Sequence, residues 1–266
     1  MMANIEGIIF DWAGTTIDYG CFAPLNVFLE VFKKRSVDIT LEEAREPMGM
    51  LKIDHIRTLT EMPRVRNEWI TKTGKAPTEQ DVIEMNDDFE RTLLEILPDF
   101  TTPIPGVTET IQALRDRGLK IGSTTGYTKE MIEIVYPRAK EKGYSPDFYI
   151  ASDEVKSGRP YPWMCYQNAM ELEVFPMNRL VKVGDTKIDM EEGRNAGMWT
   201  VGIVLGSSTL GLSEEEVKGL DPAMLEEKMK TVRKKLFDAG AHYVIDSIHE
   251  LVSVVEEIDK KELVEL

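Results

Sequence analysis

The chain reads as an α/β protein: a doubly wound parallel sheet whose first strand is followed by an inserted all-helical domain. Three observations predict this. Short runs of β-branched and aromatic residues alternate with stretches of helical period. From about 21 to 99 that alternation stops, and only helical pattern remains. The 266 residues are enough for one large α/β domain, or for a core domain with an inserted one.

In chain order, strands are predicted at IEGIIF (5–10), LKIGSTT (119–125), DFYIAS (147–152), LVKVGD (180–185), WTVGIV (199–204) and HYVID (242–246). Between several of them lie helices with legible ends. Pro105 suits a first helical turn, Val107, Ile111 and Leu114 share a face, and Gly118 closes the helix. Strand and helix in turn argue for a Rossmann-like core with helices on both faces. In the helical stretch, Thr40 with Glu43 and Thr78 with Asp81 resemble capping boxes, the second using Asp for the usual Glu or Gln. The expected division is therefore a core over 1–20 and 100–266 and a cap over 21–99. A cap above the strand C-termini would stand where open α/β sheets bind ligands. The acidic tail EEIDKKELVEL reads as the end of a surface helix.

Composition narrows the function. Thirty-two basic against 47 acidic residues give a formal net charge of −15. That opposes nucleic acid and anionic membranes as partners, since both require a basic face. It leaves a small anionic substrate open, because a site sets its own local field. Two cysteines without a pairing pattern, and no hydrophobic signal peptide, point to a reduced cytoplasmic protein. No apolar run approaches the ~18 residues that span a bilayer.

Chemistry-bearing residues recur at strand ends. Asp11 follows the first strand, Thr125 and Gly126 the second, Arg159 the third, and Asp185 and Asp189 the fourth. One Asp after a strand is most often a cap or turn residue. Four such positions in order, at the same end of their strands, are hard to obtain by chance. Their types fit phosphoryl transfer. Asp11 can attack phosphorus, and Thr125 with nearby backbone N–H groups can hold phosphoryl oxygens. Arg159 offers a forked donor that is always charged. Asp185 with Asp11 can chelate Mg²⁺, a hard cation that prefers oxygen ligands.

The ordered set FDWAGT, STTG, GRPYP and GDTKID resembles the haloacid dehalogenase superfamily of phosphotransferases. The usual first motif there is D-x-D-G-T, whose second Asp protonates the leaving oxygen of a phosphate ester. Here that position is Ala13, and the usual lysine of the third motif is Arg159. An alkoxide leaving group needs a proton, and losing its acid typically costs ~10²- to 10⁴-fold. A substrate with phosphorus on the carbon next to an aldehyde removes that need. A lysine imine then accepts the electrons of the breaking P–C bond, and the leaving group is an enamine.

That chemistry requires a lysine from the cap. PMGMLKIDHIR (47–57) offers one: on a helix, Met48, Lys52 and His55 fall at i, i+4 and i+7. A free lysine is only about 0.04% neutral at pH 7, so it must be desolvated or placed near other cations to react. Most lysines on amphipathic helices are simply solvated, and a lone His is more often packing. Ala13 favours the functional alternative for both.

The resemblance extends over nearly all of the chain, to those superfamily members that cleave a P–C bond. It rests on FDWAGTTIDYGCFAP, EPMGMLKIDHI, GSTTGY, SGRPYPWMCY and VGDTKIDMEEGRNAGMWTVG. It implies hydrolysis of phosphonoacetaldehyde to acetaldehyde and phosphate, in phosphonate catabolism. Asp11 would be the nucleophile and Lys52 the Schiff-base residue. Mg²⁺ would be held by Asp11, Asp185 and the backbone carbonyl of Ala13, with Asp189 supporting the site. His55, Met48, Cys21 and Tyr127 match family positions that line the pocket or assist proton transfer. A homodimer with cap helices in contact is implied as well. Cys21 is otherwise a small buried hydrophobe. Cys165 and Trp12 read as packing, and GSSTLGLSEEEVKGL (206–220) as a loop with no assigned chemistry. Two rivals stay open: a phosphatase of phosphate esters, opposed by Ala13, and a non-catalytic phosphate-binding protein, opposed by Asp11, Asp185 and Lys52.

Overall fold

In the computed structural model, which describes residues 5–262, six strands form one sheet. They are β1 (Gly7–Phe10), β2 (Lys120–Thr125), β3 (Phe148–Ala151), β4 (Leu180–Gly184), β5 (Trp199–Ile203) and β6 (Tyr243–Ile245). Each falls inside the run that predicts it. All pairings are parallel, in the order β3-β2-β1-β4-β5-β6. Strands covered on both faces need near-continuous apolar sequence, and β1 and β4 are buried along their whole length. Lys182, in the middle of β4, is the exception to that rule.

The chain runs from β1 outward through β2 and β3, then returns to β4 on the other side of β1. The order reverses between β1 and β4, and the crevice outside the carboxyl ends of such strands is where this architecture binds ligands. The register sets Phe10 opposite Val183 on one side and Ser123 on the other. The residues that follow these strands therefore converge.

After β1 come five helices: α1 (Phe22–Lys33), α2 (Leu41–Arg45), α3 (Lys52–Glu61), α4 (Pro63–Thr73) and α5 (Glu79–Ile96). Among the described residues, no strand lies between 22 and 99. Phe28 of α1 stacks on Phe89 of α5 at 4.3 Å, within a core that includes Ile56, Trp69 and Leu93. Both capping boxes form, Thr40 with Glu43 and Thr78 with Asp81, so the Asp serves as well as a Glu.

The remaining helices are α6 (Val107–Asp116), α7 (Lys129–Glu141), α8 (Trp163–Glu171), α9 (Lys187–Ala196), α10 (Glu214–Gly219), α11 (Pro222–Asp238) and α12 (Leu251–Glu262). One boundary differs from expectation. Gly106 is the N-cap of α6 and Pro105 stands outside the helix, while Val107, Ile111 and Leu114 are buried as predicted. Trp12 packs edge-on against Tyr144, and Cys165 lies among Ile9, Leu172 and Leu180. Residues 1–4 of the expected core and 263–266 of the acidic tail lie outside the described residues. Among the described residues no helix is long and apolar enough to cross a membrane.

The joint between β1 and the helical segment is a tight turn. Asp18, Gly20 and Cys21 all have positive φ, at 52°, 83° and 53°. The Asp18 carboxylate compensates by accepting from the backbone N–H groups of Phe22 and Ala23, each at 3.1 Å.

Candidate active site

The floor of the site is a cluster of buried charges at the ends of β1, β2 and β4. Arg159 donates from Nη2 to Asp11 Oδ1 at 2.7 Å and to the Thr124 carbonyl at 2.8 Å. Its other nitrogens face Asp189 and Glu192, both at 3.0 Å. Lys182 Nζ adds a second cation, 3.2 Å from Asp189 and 3.0 Å from Glu192. Asp185 accepts from the Ser208 N–H at 2.8 Å, the Ser208 hydroxyl at 2.6 Å and the Thr15 hydroxyl at 2.9 Å. Arg159 thus spreads over three carboxylates, a task for which a planar fork suits better than an ammonium.

These carboxylates answer their surroundings differently. Burial pushes Asp11 up, against the pull of Arg159. Asp185 is pushed up to about 8 by burial and by the charges of Asp11 and Asp189. Asp189, although buried, is held down by Arg159 and Lys182. Oxygens from Asp11, Asp185 and Asp189 all lie within 4.8 Å of one another, and all three residues are buried. With all four carboxylates ionised, as ligation of a cation by Asp11 and Asp185 requires, the cluster (with Glu192) and its two cations carry two negative charges in excess. An all-oxygen donor set with that excess fits a hard divalent cation such as Mg²⁺.

The opposite wall comes from the helical segment and is of another kind. Lys52 opens α3, is buried, and has no ion pair among the described residues. Its Nζ lies 5.2 Å from the centre of the Tyr127 ring and 5.9 Å from that of Phe28. Burial lowers its pKa, with Arg159 assisting and Cys21, Asp11 and Asp18 pulling the other way. A first-turn position adds to this, since a helix N-terminus disfavours a cation.

Floor and wall border a half-open cavity of about 20 Å³, lined by Asp11, Ala13, Cys21, Met48, Lys52, Thr125, Gly126, Tyr127 and Arg159 with Gly49 and Thr186. That is room for a water molecule and little more. Glycines permit the close approach. A Cβ at Gly126 would stand 2.9 Å from the carbonyl oxygens of both Gly49 and Met50. Gly49 itself has φ +91°, and a Cβ there would meet the Thr186 hydroxyl at 2.8 Å. A cleft of about 850 Å³ adjoins this cavity, shares Met48 and Thr186 with it, and is bordered by Arg45, Thr209 and Lys187.

Two expectations need correction. Met48 does not share a helix face with Lys52 and His55, because α3 begins at Lys52 and Gly49 turns the chain before it. Met48 reaches the cavity from that loop instead. His55 does share the helix with Lys52 but does not line the cavity. Its Nε2 faces the Ala44 carbonyl at 2.9 Å and its ring stacks on Phe28 at 3.8 Å. Burial and the nearby Lys52 keep it well below the usual histidine range, so the ring is neutral.

A family model described as haloacid dehalogenase-like hydrolase matches residues 5–197. The phosphonoacetaldehyde hydrolase of Bacillus anthracis is 62% identical over 261 residues, covering 98% of this chain and 99% of that one. The chain belongs to the phosphonoacetaldehyde hydrolase family of haloacid dehalogenase-like hydrolases. Another relative in this family, from Bacillus mycoides (strain KBAB4), is 60% identical over the same share of both chains. The crystal structure of a phosphonoacetaldehyde hydrolase-like protein from Oleispira antarctica matches with a TM-score of 0.95 at 38% identity, covering 98% of this chain and 95% of that one. A β-phosphoglucomutase from Clostridium difficile, 18% identical with a TM-score of 0.69 over 98% of this chain and 99% of that one, shares the fold.

Within this phosphonoacetaldehyde hydrolase fold, several site residues escape a reading by motif. Ser208 lies in the loop after β5, and Thr209 Oγ1 donates to the Asp185 carbonyl at 2.9 Å. The stretch 206–220 therefore does reach the site. Asp18 is pushed up to about 7, chiefly by burial, while its two backbone donors oppose this. Lys182 had a legible signal, a lysine inside a continuous apolar strand. Glu192 had none, since only the fold sets it under Arg159.

Proposed function

We propose that the protein hydrolyses the P–C bond of phosphonoacetaldehyde to acetaldehyde and phosphate, through an imine on Lys52 and a phosphorylated Asp11. The observation that carries this reading is the unpaired, desolvated Lys52 facing Asp11 across one cavity that also contains Ala13. A phosphate-ester hydrolase needs an acid where Ala13 stands. An imine does not.

The Lys52 amine, in its neutral form, attacks the aldehyde; with one proton taken up from solvent the hydroxyl leaves as water and the protonated imine remains. Cys21, Met48 and Tyr127 shape a largely apolar wall that keeps this exchange out of bulk solvent. His55, one turn on from Lys52 with Nδ1 unpartnered among the described residues, would act as a transient relay, taking the proton shed by the attacking nitrogen and returning it to the departing hydroxyl, its lowered pKa keeping it from holding that proton. Arg159 holds Asp11 Oδ1, which leaves the other carboxylate oxygen to attack phosphorus. As the new O–P bond forms, the P–C electrons move to carbon and on to the iminium nitrogen. The enamine is protonated at carbon and hydrolysed to acetaldehyde, and water releases phosphate from Asp11. Arg159, Thr125 and the backbone at Gly126 stabilise the transferring phosphoryl group. Mg²⁺ bound by Asp11, Asp185 and the carbonyl of Ala13, with Asp189 in support, would supply further charge at the phosphoryl oxygens.

The 20 Å³ cavity is too small for the substrate, so residues 21–99 act as a cap that opens over the core formed by 1–20 and 100–266. The neighbouring cleft offers the route in. A homodimer through the cap belongs to the same proposal, and Ile70 and Ile83 expose apolar surface there. Both cysteines are free thiols, in keeping with a reducing cytoplasm.

The test is acetaldehyde release from phosphonoacetaldehyde, followed as NADH loss through alcohol dehydrogenase, with and without Mg²⁺. Metal-dependent release is expected, and borohydride added with substrate should leave a reduced adduct on Lys52. Hydrolysis of a phosphate ester with no acetaldehyde formed would sink the reading.

A further inference from the structure

Two buried charges take no part in these steps. Lys182 Nζ donates to the Thr124 hydroxyl at 2.7 Å and contacts Glu192 Oε2 at 3.0 Å and Asp189 Oδ1 at 3.2 Å. Glu192 Oε2 also meets Arg159 Nε at 3.0 Å and accepts from the Thr124 hydroxyl at 3.1 Å. That hydroxyl is in turn 2.7 Å from Arg159 Nη2, the nitrogen that grips Asp11. Lys182 and Glu192 are both fully enclosed.

Packing does not explain them. A buried ion pair contributes little stability beyond what apolar side chains of the same volume would supply. A lysine in mid-strand under helices on both faces is an expensive way to fill space. What the pair does control is charge. Removing Glu192 leaves the cluster with one negative charge in excess, and removing Lys182 leaves three. Removing both restores two.

We propose that Lys182 and Glu192 are positioning residues that set the excess charge beneath Asp11, Asp185 and Asp189 to the value one divalent cation neutralises. The inference rests on the reading of those three carboxylates as a divalent-cation site. The pair acts through Asp189 and Arg159 rather than by touching substrate. Lys182 contacts Asp189 and does not line the cavity, and Glu192 meets Arg159 at Nε while Nη2 donates to Asp11.

The experiment is Mn²⁺ binding to the full-length protein without substrate, read as free Mn²⁺ by electron paramagnetic resonance. Glu192→Gln, which keeps the side-chain shape, should weaken binding about tenfold, and Lys182→Met should tighten it about tenfold. The double variant should return close to the wild-type constant. A purely structural pair would give weaker binding in all three variants, and that result overturns the inference, as does unchanged binding in all three. If Lys182→Met does not fold, the weaker Glu192→Gln and the restored double variant decide between these outcomes. Wild-type protein that binds no Mn²⁺ would instead overturn the metal reading, and this inference with it.

Discussion

The two sides of the cavity handle charge in opposite ways. On the core side, Asp11, Asp185, Asp189 and Glu192 lie against Arg159 and Lys182, and each buried charge has a partner within about one hydrogen-bond length. On the helical side, Lys52 has ring faces and no ion pair among the described residues, and burial lowers its pKa. The core side offsets its buried acids with partners, which hold Asp189 down although burial still pushes Asp11 and Asp185 up. The helical side lowers the pKa of its amine by withholding such partners. A nucleophilic carboxylate and a nucleophilic amine thus coexist because two separate segments of chain supply their environments.

The largest effect is expected from Lys52→Arg, which puts a cation that cannot form an imine where a reactive amine is required. Acetaldehyde release should fall by about 10³-fold or more, with no borohydride adduct, while Mn²⁺ binding on the far side stays as in wild type. Near-normal turnover would show that the amine is a bystander.

Next in size is the contact between the two sides. Gly126→Ala places a methyl group 2.9 Å from two carbonyl oxygens of the 49–50 loop. Backbone cannot yield as a flexible side chain does, so closure is hindered although each side remains intact. Turnover should fall about 10²-fold, with normal Mn²⁺ binding. Equal losses in both would place the damage in the core rather than in closure.

The core side alone is probed by Ser208→Ala, which removes one of the donors to Asp185 and keeps the Ser208 N–H. Metal affinity should fall about tenfold, with little change in turnover at saturating Mg²⁺. A loss of turnover that excess Mg²⁺ does not rescue would give Ser208 a role beyond holding Asp185.

How far these features were legible in the sequence follows from where their causes lie. The sheet was legible because each strand is a local apolar run, and Asp11, Thr125, Arg159 and Asp185 because each ends such a run or lies in the segment after it. Lys52 was legible only through an absence, the missing acid at Ala13. Met48 was misplaced because a helical spacing counted through Gly49 ignores the positive φ that only the folded chain reveals. Ser208 and Glu192 were out of reach. Ser208 is 23 positions from the Asp185 it supports, and Glu192 stands 33 from Arg159, so only strand order brings them there.

The smallest effect belongs to the joint between the two sides. Asp18 caps α1, and burial pushes it up to about 7 from the 3.8 of an unfolded aspartate. Between those values the folded protein holds a proton that the unfolded chain has lost. Stability from this group is therefore full below about pH 4 and declines as pH rises toward 7. Asp18→Asn has no such slope. It keeps one oxygen for the cap and should cost about 1 kcal/mol at low pH, but it should become the more stable protein as pH approaches 7. Thermal melts of both proteins from pH 4 to 8 measure this. Parallel curves would mean that Asp18 is already ionised in the folded state and that the turn is solvated. Crossing curves would make the joint a place where protonation favours the docked helix, on the same side of the molecule as the amine whose pKa burial lowers.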